Sequence, residues 1–496
     1  MGDSEDEKTP PREDVSGSWP AAERSDAFGS GDGNGNGIGD EDVLAGDEPL
    51  LPYARTKFRR KRDVLAVVGI AVVSLVAGLL LWQSSDVRAT SSQPYDGPVP
   101  TQAPPTRFPP SLGESWRAKS SATPVPVAVG DTIVTGEGGE VAGRDPLTGE
   151  VRWHYTRDLP LCTVTEAWDM ALTVYSKPDN LLRSDDPRKA GGCSEFTSLD
   201  PATGRRGRQP SPTEERTKPD GGQRNSDAEL GTRLLFDGTY VTTTGDKLLT
   251  TVRSDLVRTV EYGAIPVLTN AERQPRTGCT YGTVAVESGR IAVIERCPDD
   301  PSDRLTVYNA THDENDDDKP VVVSSVVVDE GAQVVGMTEH CRGTDDPEET
   351  EVELCTVIVV PNPARLVVYD QKGSQLAEHE LDLGAGDLRT EPADHTVVTN
   401  RTTGALYWFT GSRTIVLSEA DLSPLWTVED TLGPGTAFAG KIVVPVPDGL
   451  AVLQPTDGER IGTIPVDRGD YTGPVTTSAL GTMVYEQRGD TLVALS

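Results

Sequence analysis

An uninterrupted apolar run from Val64 to Trp82, preceded by Lys57-Phe58-Arg59-Arg60-Lys61-Arg62, divides this chain and limits what either side can fold into. The run holds 19 residues and no charge. At 1.5 Å per residue it spans about 28 Å as a helix, close to the roughly 30 Å hydrocarbon core of a bilayer. The cationic block has no counterpart after the run, where Gln83-Ser84-Ser85-Asp86 begins. The positive-inside rule therefore predicts a single-pass plasma-membrane anchor, with the amino terminus cytoplasmic and the remainder extracytoplasmic. A cleaved signal peptide would need a shorter apolar core nearer the chain start.

Cysteine placement agrees with that division. All six cysteines, Cys162, Cys193, Cys279, Cys297, Cys341 and Cys355, follow the run. An even number on the exported side is what an oxidising compartment permits. Proximity suggests the pairs 162–193, 279–297 and 341–355, and no spacing matches the Cys-x-x-Cys of a zinc or redox site. Composition narrows the partners. With 46 basic and 78 acidic residues the net charge is −32, which argues against nucleic acid, because phosphate neutralisation supplies most of that affinity. The 50 glycines, 38 prolines and few aromatics suit a turn-rich β protein.

Residues 1–56 are acidic, Gly-rich and poor in large apolar side chains, so a disordered cytoplasmic tail is expected there. Within it, Asp32-Gly33-Asn34-Gly35-Asn36-Gly37 opens like an EF-hand calcium loop, but Val43 stands where the bidentate Glu should be. Thr9, before Pro10-Pro11, is a candidate phosphate acceptor. Residues 57–63 form the basic juxtamembrane segment and 64–82 the transmembrane helix. Residues 83–113, rich in Ser, Thr and Pro, read as an extended stalk reaching as much as roughly 90 Å.

From residue 114 to 496 the pattern becomes short strands separated by turns. The clearest unit runs Val141-Ala142-Gly143-Arg144-Asp145-Pro146-Leu147-Thr148-Gly149-Glu150-Val151-Arg152-Trp153. A strand ends at Asp145, Thr148-Gly149 turns, and the returning strand carries Trp153. Phe196 to Gly204 keeps Asp200, Thr203 and Gly204, with Arg208 in place of the tryptophan. Weaker copies end near 254, 309, 370, 421 (leading to Trp426), 454 and 495. Recurrence at this period marks a repeat architecture.

The Asp-x-x-Thr-Gly-x-x-x-Trp spacing resembles the repeat of the pyrroloquinoline-quinone-type β-propellers. That superfamily includes quinoprotein dehydrogenases and the non-enzymatic scaffold lipoprotein of outer-membrane barrel assembly. The resemblance implies an all-β fold, an eight-bladed propeller with seven blades as the alternative count, and a β-sandwich pair as the structural rival. The last unit stops at Ser496, before its Trp-bearing strand, and Glu114-Ser115-Trp116-Arg117-Ala118 has the pattern of the missing piece. Pairing the two ends would remove the exposed sheet edges.

No catalytic constellation emerges. The five histidines, His154, His312, His340, His379 and His395, are scattered, and His154 beside Trp153 reads as a structural imidazole. No adjacent cysteines and no calcium-ligand pattern accompany the repeats, so the resemblance carries over the fold without catalytic, cofactor-binding or metal residues. The acidic tip Asp313-Glu314-Asn315-Asp316-Asp317-Asp318 reads as a solvated loop, and Arg205-Arg206-Gly207-Arg208 opens a long polar insertion. Low Lys with high Asp, Arg, Gly and Ala suggests a high-GC bacterial source of actinobacterial type. The expected function is a non-catalytic protein-interaction scaffold in the bacterial cell envelope, binding envelope proteins or polymers, with no cofactor. The rivals are an envelope sensor signalling through the cytoplasmic tail and a quinone-dependent dehydrogenase.

Overall fold

The computed structural model describes residues 61–83, 89–176, 192–207, 232–263, 276, 278–313, 316–339, 354–384, 386–388, 391–402 and 404–496. The acidic tail with its calcium-loop-like segment and Thr9, residues 57–60, Arg208, His340 and Cys341 lie outside them. Lys61–Gln83 is one α-helix, and its segment Val64–Trp82 is long and apolar enough to cross a membrane.

The rest is eight antiparallel sheets of three to five strands, consecutive along the chain. They are the blades of an eight-bladed propeller, which settles the count. Blade 1 contains Val127–Val129, Thr132–Glu137, Glu140–Arg144 and Val151–Arg157, from the axis outward. Blades 2 to 7 occupy 161–199, 234–263, 280–327, 333–380, 398–428 and 436–465. The strand ends counted in the sequence are the third strands of the blades. Blade 8 takes three strands from 475–495 and its outermost strand from Glu114–Lys119. Trp116 pairs with Ala494, Arg117 with Val493 and Lys119 with Thr491, so the two ends close the ring.

Burial follows the layering. A blade is covered on both faces by its neighbours, so its middle strands are buried almost throughout, as in Met170–Ser176 and Gly449–Leu453. Outermost strands alternate, as Gln375–Glu380 does. The core is correspondingly divided into eight clusters, each shared by two adjacent blades. The cluster of Ile133 with Met483, Tyr485, Leu492 and Ala494 completes the circle between blades 8 and 1.

Residues 90–113 are not a solvated stalk. Thr90–Gln93 adds a fifth strand to the edge of blade 1, pairing with Arg157 through His154. The following segment then crosses one face of the ring. Tyr95 packs on the core between blades 1 and 2, and its N–H donates to the Thr203 carbonyl at 3.0 Å. Gln102 N–H donates to Asp131 Oδ1 at 2.7 Å, in the innermost hairpin of blade 1. Phe108 meets Phe438 edge-on at 5.9 Å, and Leu112 is buried in the core between blades 7 and 8. The reach of roughly 90 Å expected for an extended segment therefore does not apply. The Tyr95 and Phe108 rings, the buried Leu112 side chain and the Gln102 N–H instead strap this segment to the propeller.

Disulfides join Cys162 to Cys193 and Cys279 to Cys297. The second ties the open end of the first hairpin of blade 4, where Thr280 pairs with Arg296. Cys355 is also disulfide-bonded, while its expected partner Cys341 lies outside the described residues. Loops of this size contribute about 3 kcal/mol each in the chain-entropy model. Reduction should lower the thermal midpoint without abolishing the β signature in circular dichroism. A midpoint unchanged by reduction would contradict that contribution.

Candidate functional site

Three features decide where this ring can offer a site: the docks between blades, the residues around the axis, and the clefts at the rim. The docks come from the repeat residues. Asp145 Oδ1 accepts from Leu147 N–H and Thr148 N–H, each at 2.9 Å, and from the Thr148 hydroxyl. Asp200 does the same for Ala202 and Thr203. Each turn ends on a glycine with positive φ, 74° at Gly149 and 70° at Gly204. A Cβ at Gly149 would lie 2.6 Å from Trp116, and one at Gly204 would lie 2.5 Å from Trp153. The tryptophan of one blade thus lies flat on the turn of the next, which explains both the glycine and the four-residue spacing to the indole. Trp426 of blade 6 sits in the same way on Gly458 of blade 7. Between blades 4 and 5 Val326 takes the tryptophan's place, at 2.7 Å from the Cβ position of Gly373. Gly204→Ala should cost about 2–4 kcal/mol, from the left-handed backbone plus overlap with the indole. Unchanged urea unfolding in that variant would refute the dock.

At the axis, the face carrying the starts of the innermost strands is bridged by the connection into blade 6. Glu391 forms two 2.8 Å bonds with Arg296 of blade 4. Asp394 pairs with Arg233 of blade 3 at 2.7 Å. His395 approaches Asp246 at 3.1 Å through Nε2 and the Gly282 carbonyl at 3.1 Å through Nδ1, and its own carbonyl accepts from Val284 N–H. Because Val284 belongs to the innermost strand of blade 4, this segment acts as a clamp on the axial side of the wall. Upstream, Asp387 secures the same connection. Burial alone would raise its carboxyl, but donors from Thr410, Ser412 and Gly384, with the Arg413 guanidinium, outweigh burial and hold it below the usual carboxylate range. A depressed carboxyl contributes stability that is present above the unfolded value of roughly 3.9 and is lost as pH falls through the lower folded value. The stability gap between the parent and Asp387→Asn should therefore narrow below about pH 4. A gap that stays constant in acid melts would contradict this.

The opposite face is the one crossed by residues 94–113, over the inner hairpins of blades 1, 8 and 7. Beyond that strap, burial raises Glu287 at the end of the innermost strand of blade 4, with Arg401 opposing the shift. Glu166 of blade 2 is also raised, by burial and then by Asp169.

Of the ligating groups, Cys279, Glu295 and Cys297 bring ligand atoms within 4.8 Å of one another. They do not suit a metal in this state. The two sulfurs are joined to each other, and the fully buried Glu295 carboxylate is committed to Arg276 at 2.8 Å, Thr306 at 2.9 Å and the Tyr308 hydroxyl. Two clefts among the described residues lie at the rim. One of about 550 Å³ opens between blades 6 and 7, and one of about 230 Å³ between blades 4 and 5.

The sequence anticipates the dock residues but not the clamp. Glu391 and Asp394 belong to no motif, and His395 reads as one of several scattered histidines. Their partners lie roughly a hundred or more residues away, and no local spacing signals such contacts.

A family model described as outer membrane protein assembly factor BamB matches residues 112–165, which span the closing strand and blade 1. No curated protein matches this chain. Among solved structures, apo AztD from Citrobacter koseri is similar at 11% identity, covering 72% of this chain and 88% of its own, with a TM-score of 0.41. Saccharomyces cerevisiae Sqt1 is similar at 7% identity, covering 77% and 98%, with a TM-score of 0.45. The dihydro-heme d1 dehydrogenase NirN in complex with DHE is similar at 10% identity, covering 77% and 78%, also at 0.45. The chain is thus an eight-bladed β-propeller whose closing strand and first blade are similar to that family model.

Proposed function

We propose that this protein is a membrane-anchored, extracytoplasmic scaffold of the bacterial cell envelope, which binds other envelope components without catalysing a reaction on them. One observation carries the reading. Among the described residues, three charged groups at one axial mouth are spent on the chain's own clamp, Glu391 on Arg296, Asp394 on Arg233 and His395 on Asp246. The other face is crossed by the strap. The surfaces left for partners are the rim clefts and the outer loops, which suit protein contacts on a rigid ring. A quinone-dependent enzyme would need its cofactor at the axis, and residues 391–395 pack against the blade 3 and blade 4 wall that borders it. The match to an outer-membrane assembly factor favours an envelope role, and the basic residues before Val64 favour a cytoplasmic amino terminus.

Crosslinking in intact membranes followed by capture of the full chain tests the reading. Reproducible recovery of specific envelope proteins is expected. Recovery of none, together with quinone-dependent oxidation of an alcohol or sugar by the purified chain, would overturn it. Protease added to spheroplasts should digest the propeller and spare the tail, and the reverse pattern would overturn the orientation.

A further inference from the structure

Hydroxyl side chains recur at a fixed interval along the strap. Pro100-Thr101, Pro105-Thr106 and Pro110-Ser111 stand five residues apart, so each hydroxyl directly follows a proline. Thr101, Thr106 and Ser111 are all exposed, and their side chains form no hydrogen bond among the described residues. In the blades, by contrast, hydroxyls are put to structural use. Thr148 and Thr203 bond within their turns, and Thr242 bonds across strands to Thr251.

The backbone explains the difference. Pro104, Pro105, Pro109 and Pro110 have no N–H to give, and residues 94–113 join no helix or sheet. The Gln102 N–H, the Phe108 ring and the Leu112 side chain hold this stretch against the ring. The hydroxyls between those anchors are left in solvent, on unpaired backbone that an enzyme can grip. Serine and threonine interleaved with proline mark stalks that carry O-linked sugars. The pentad spacing and the unused, exposed hydroxyls supply the acceptor that such chemistry needs.

We propose that Thr101, Thr106 and Ser111 are O-glycosylation sites, each accepting a sugar from a lipid-phosphate-linked donor. The hydroxyl oxygen bonds to the anomeric carbon of the sugar. The bond from that carbon to the phosphate oxygen breaks, its electron pair leaves on the phosphate, and the hydroxyl proton passes to a base of the transferase. The assignment rests on the extracytoplasmic reading of this region. It also gives the sugars a task. Arg107 is exposed, forms no ion pair among the described residues and precedes Phe108, so the bond after it is open to trypsin-like cleavage. A sugar on neighbouring Thr106 shields that bond.

The test uses the full chain purified from its native membranes, denatured, digested with trypsin and read by mass spectrometry with electron-transfer fragmentation. Peptides covering residues 89–117 should carry mass in whole monosaccharide units, placed on Thr101, Thr106 and Ser111. Three hydroxyls are internal controls and should stay unmodified. Ser91 and Ser92 are exposed but lie in a paired strand. Thr456 follows Pro455 and is exposed but sits in the tight turn of blade 7, closed by the Gly458 N–H on the Gln454 carbonyl. Thr101→Ala, Thr106→Ala and Ser111→Ala combined should remove the added mass, keep the β signature in circular dichroism and hasten native-state trypsin cleavage after Arg107 several-fold. Unmodified hydroxyls, phosphate in place of sugar, or equal modification of the controls would overturn the proposal. Equal cleavage of parent and triple variant would overturn the shielding. Protease treatment of spheroplasts separates the two readings. An unmodified strap on a digestible propeller rejects the sites and retains export, and an unmodified strap on a protected propeller rejects both.

Discussion

Replacing Trp153 by alanine should destabilise the propeller by about 3–5 kcal/mol, the range for truncating a fully buried aromatic. Trp153 is 0% exposed, lies on the Gly204 turn and shares the core between blades 1 and 2 with Tyr155 and Tyr175. The change removes the indole that joins two blades and leaves the Pro201 carbonyl without its donor. Trp426→Ala is the internal comparison. Its indole is only partly buried and makes no hydrogen bond, so it should cost markedly less. Urea unfolding of both variants checks this. Equal losses would mean that the docks contribute only as apolar bulk.

Deleting residues 90–113 should also destabilise the ring, although their composition alone reads as a solvated linker. The deletion exposes the Val151–Arg157 edge and empties the Leu112 position between blades 7 and 8. It also removes the edge-on contact of Phe108 with Phe438. A buried leucine contributes about 1.5–3 kcal/mol and an aromatic pair about 0.5–1.5, so a loss of at least about 3 kcal/mol is expected. The thermal midpoint should fall by several degrees. A melt identical to that of the full chain would return this segment to the role of a tether.

The contrast between these elements shows what the sequence can carry. The third strand of each blade is legible because both its faces are buried, which leaves a short apolar run ending on a polar turn. Ring closure is legible because the final unit lacks its Trp-bearing strand and Glu114–Lys119 has that strand's pattern. The strap is not legible, because Tyr95, Gln102, Phe108 and Leu112 are isolated anchors within a Pro-, Ser- and Thr-rich stretch and share no period. The clamp escapes for a related reason. Its ion pairs join the connection into blade 6 to residues of blades 3 and 4, and pairing at that range is written in the fold alone. That the Trp426 indole lacks the hydrogen bond made by Trp116 and Trp153 appears only when the three docks are compared atom by atom.

The ring's closure by Glu114–Lys119 is the claim on which the blade order, the strap and the clefts all depend. Hydrogen exchange of the full chain, read by mass spectrometry over peptides covering residues 114–119, tests it most directly. If these residues form the outer strand of blade 8, Trp116 to Lys119 should be protected on the timescale of Met483–Arg488 in the same sheet and should open only with the whole domain. Exchange within seconds, while Met483–Arg488 stays protected, would show that the chain ends are unpaired and that the propeller is open.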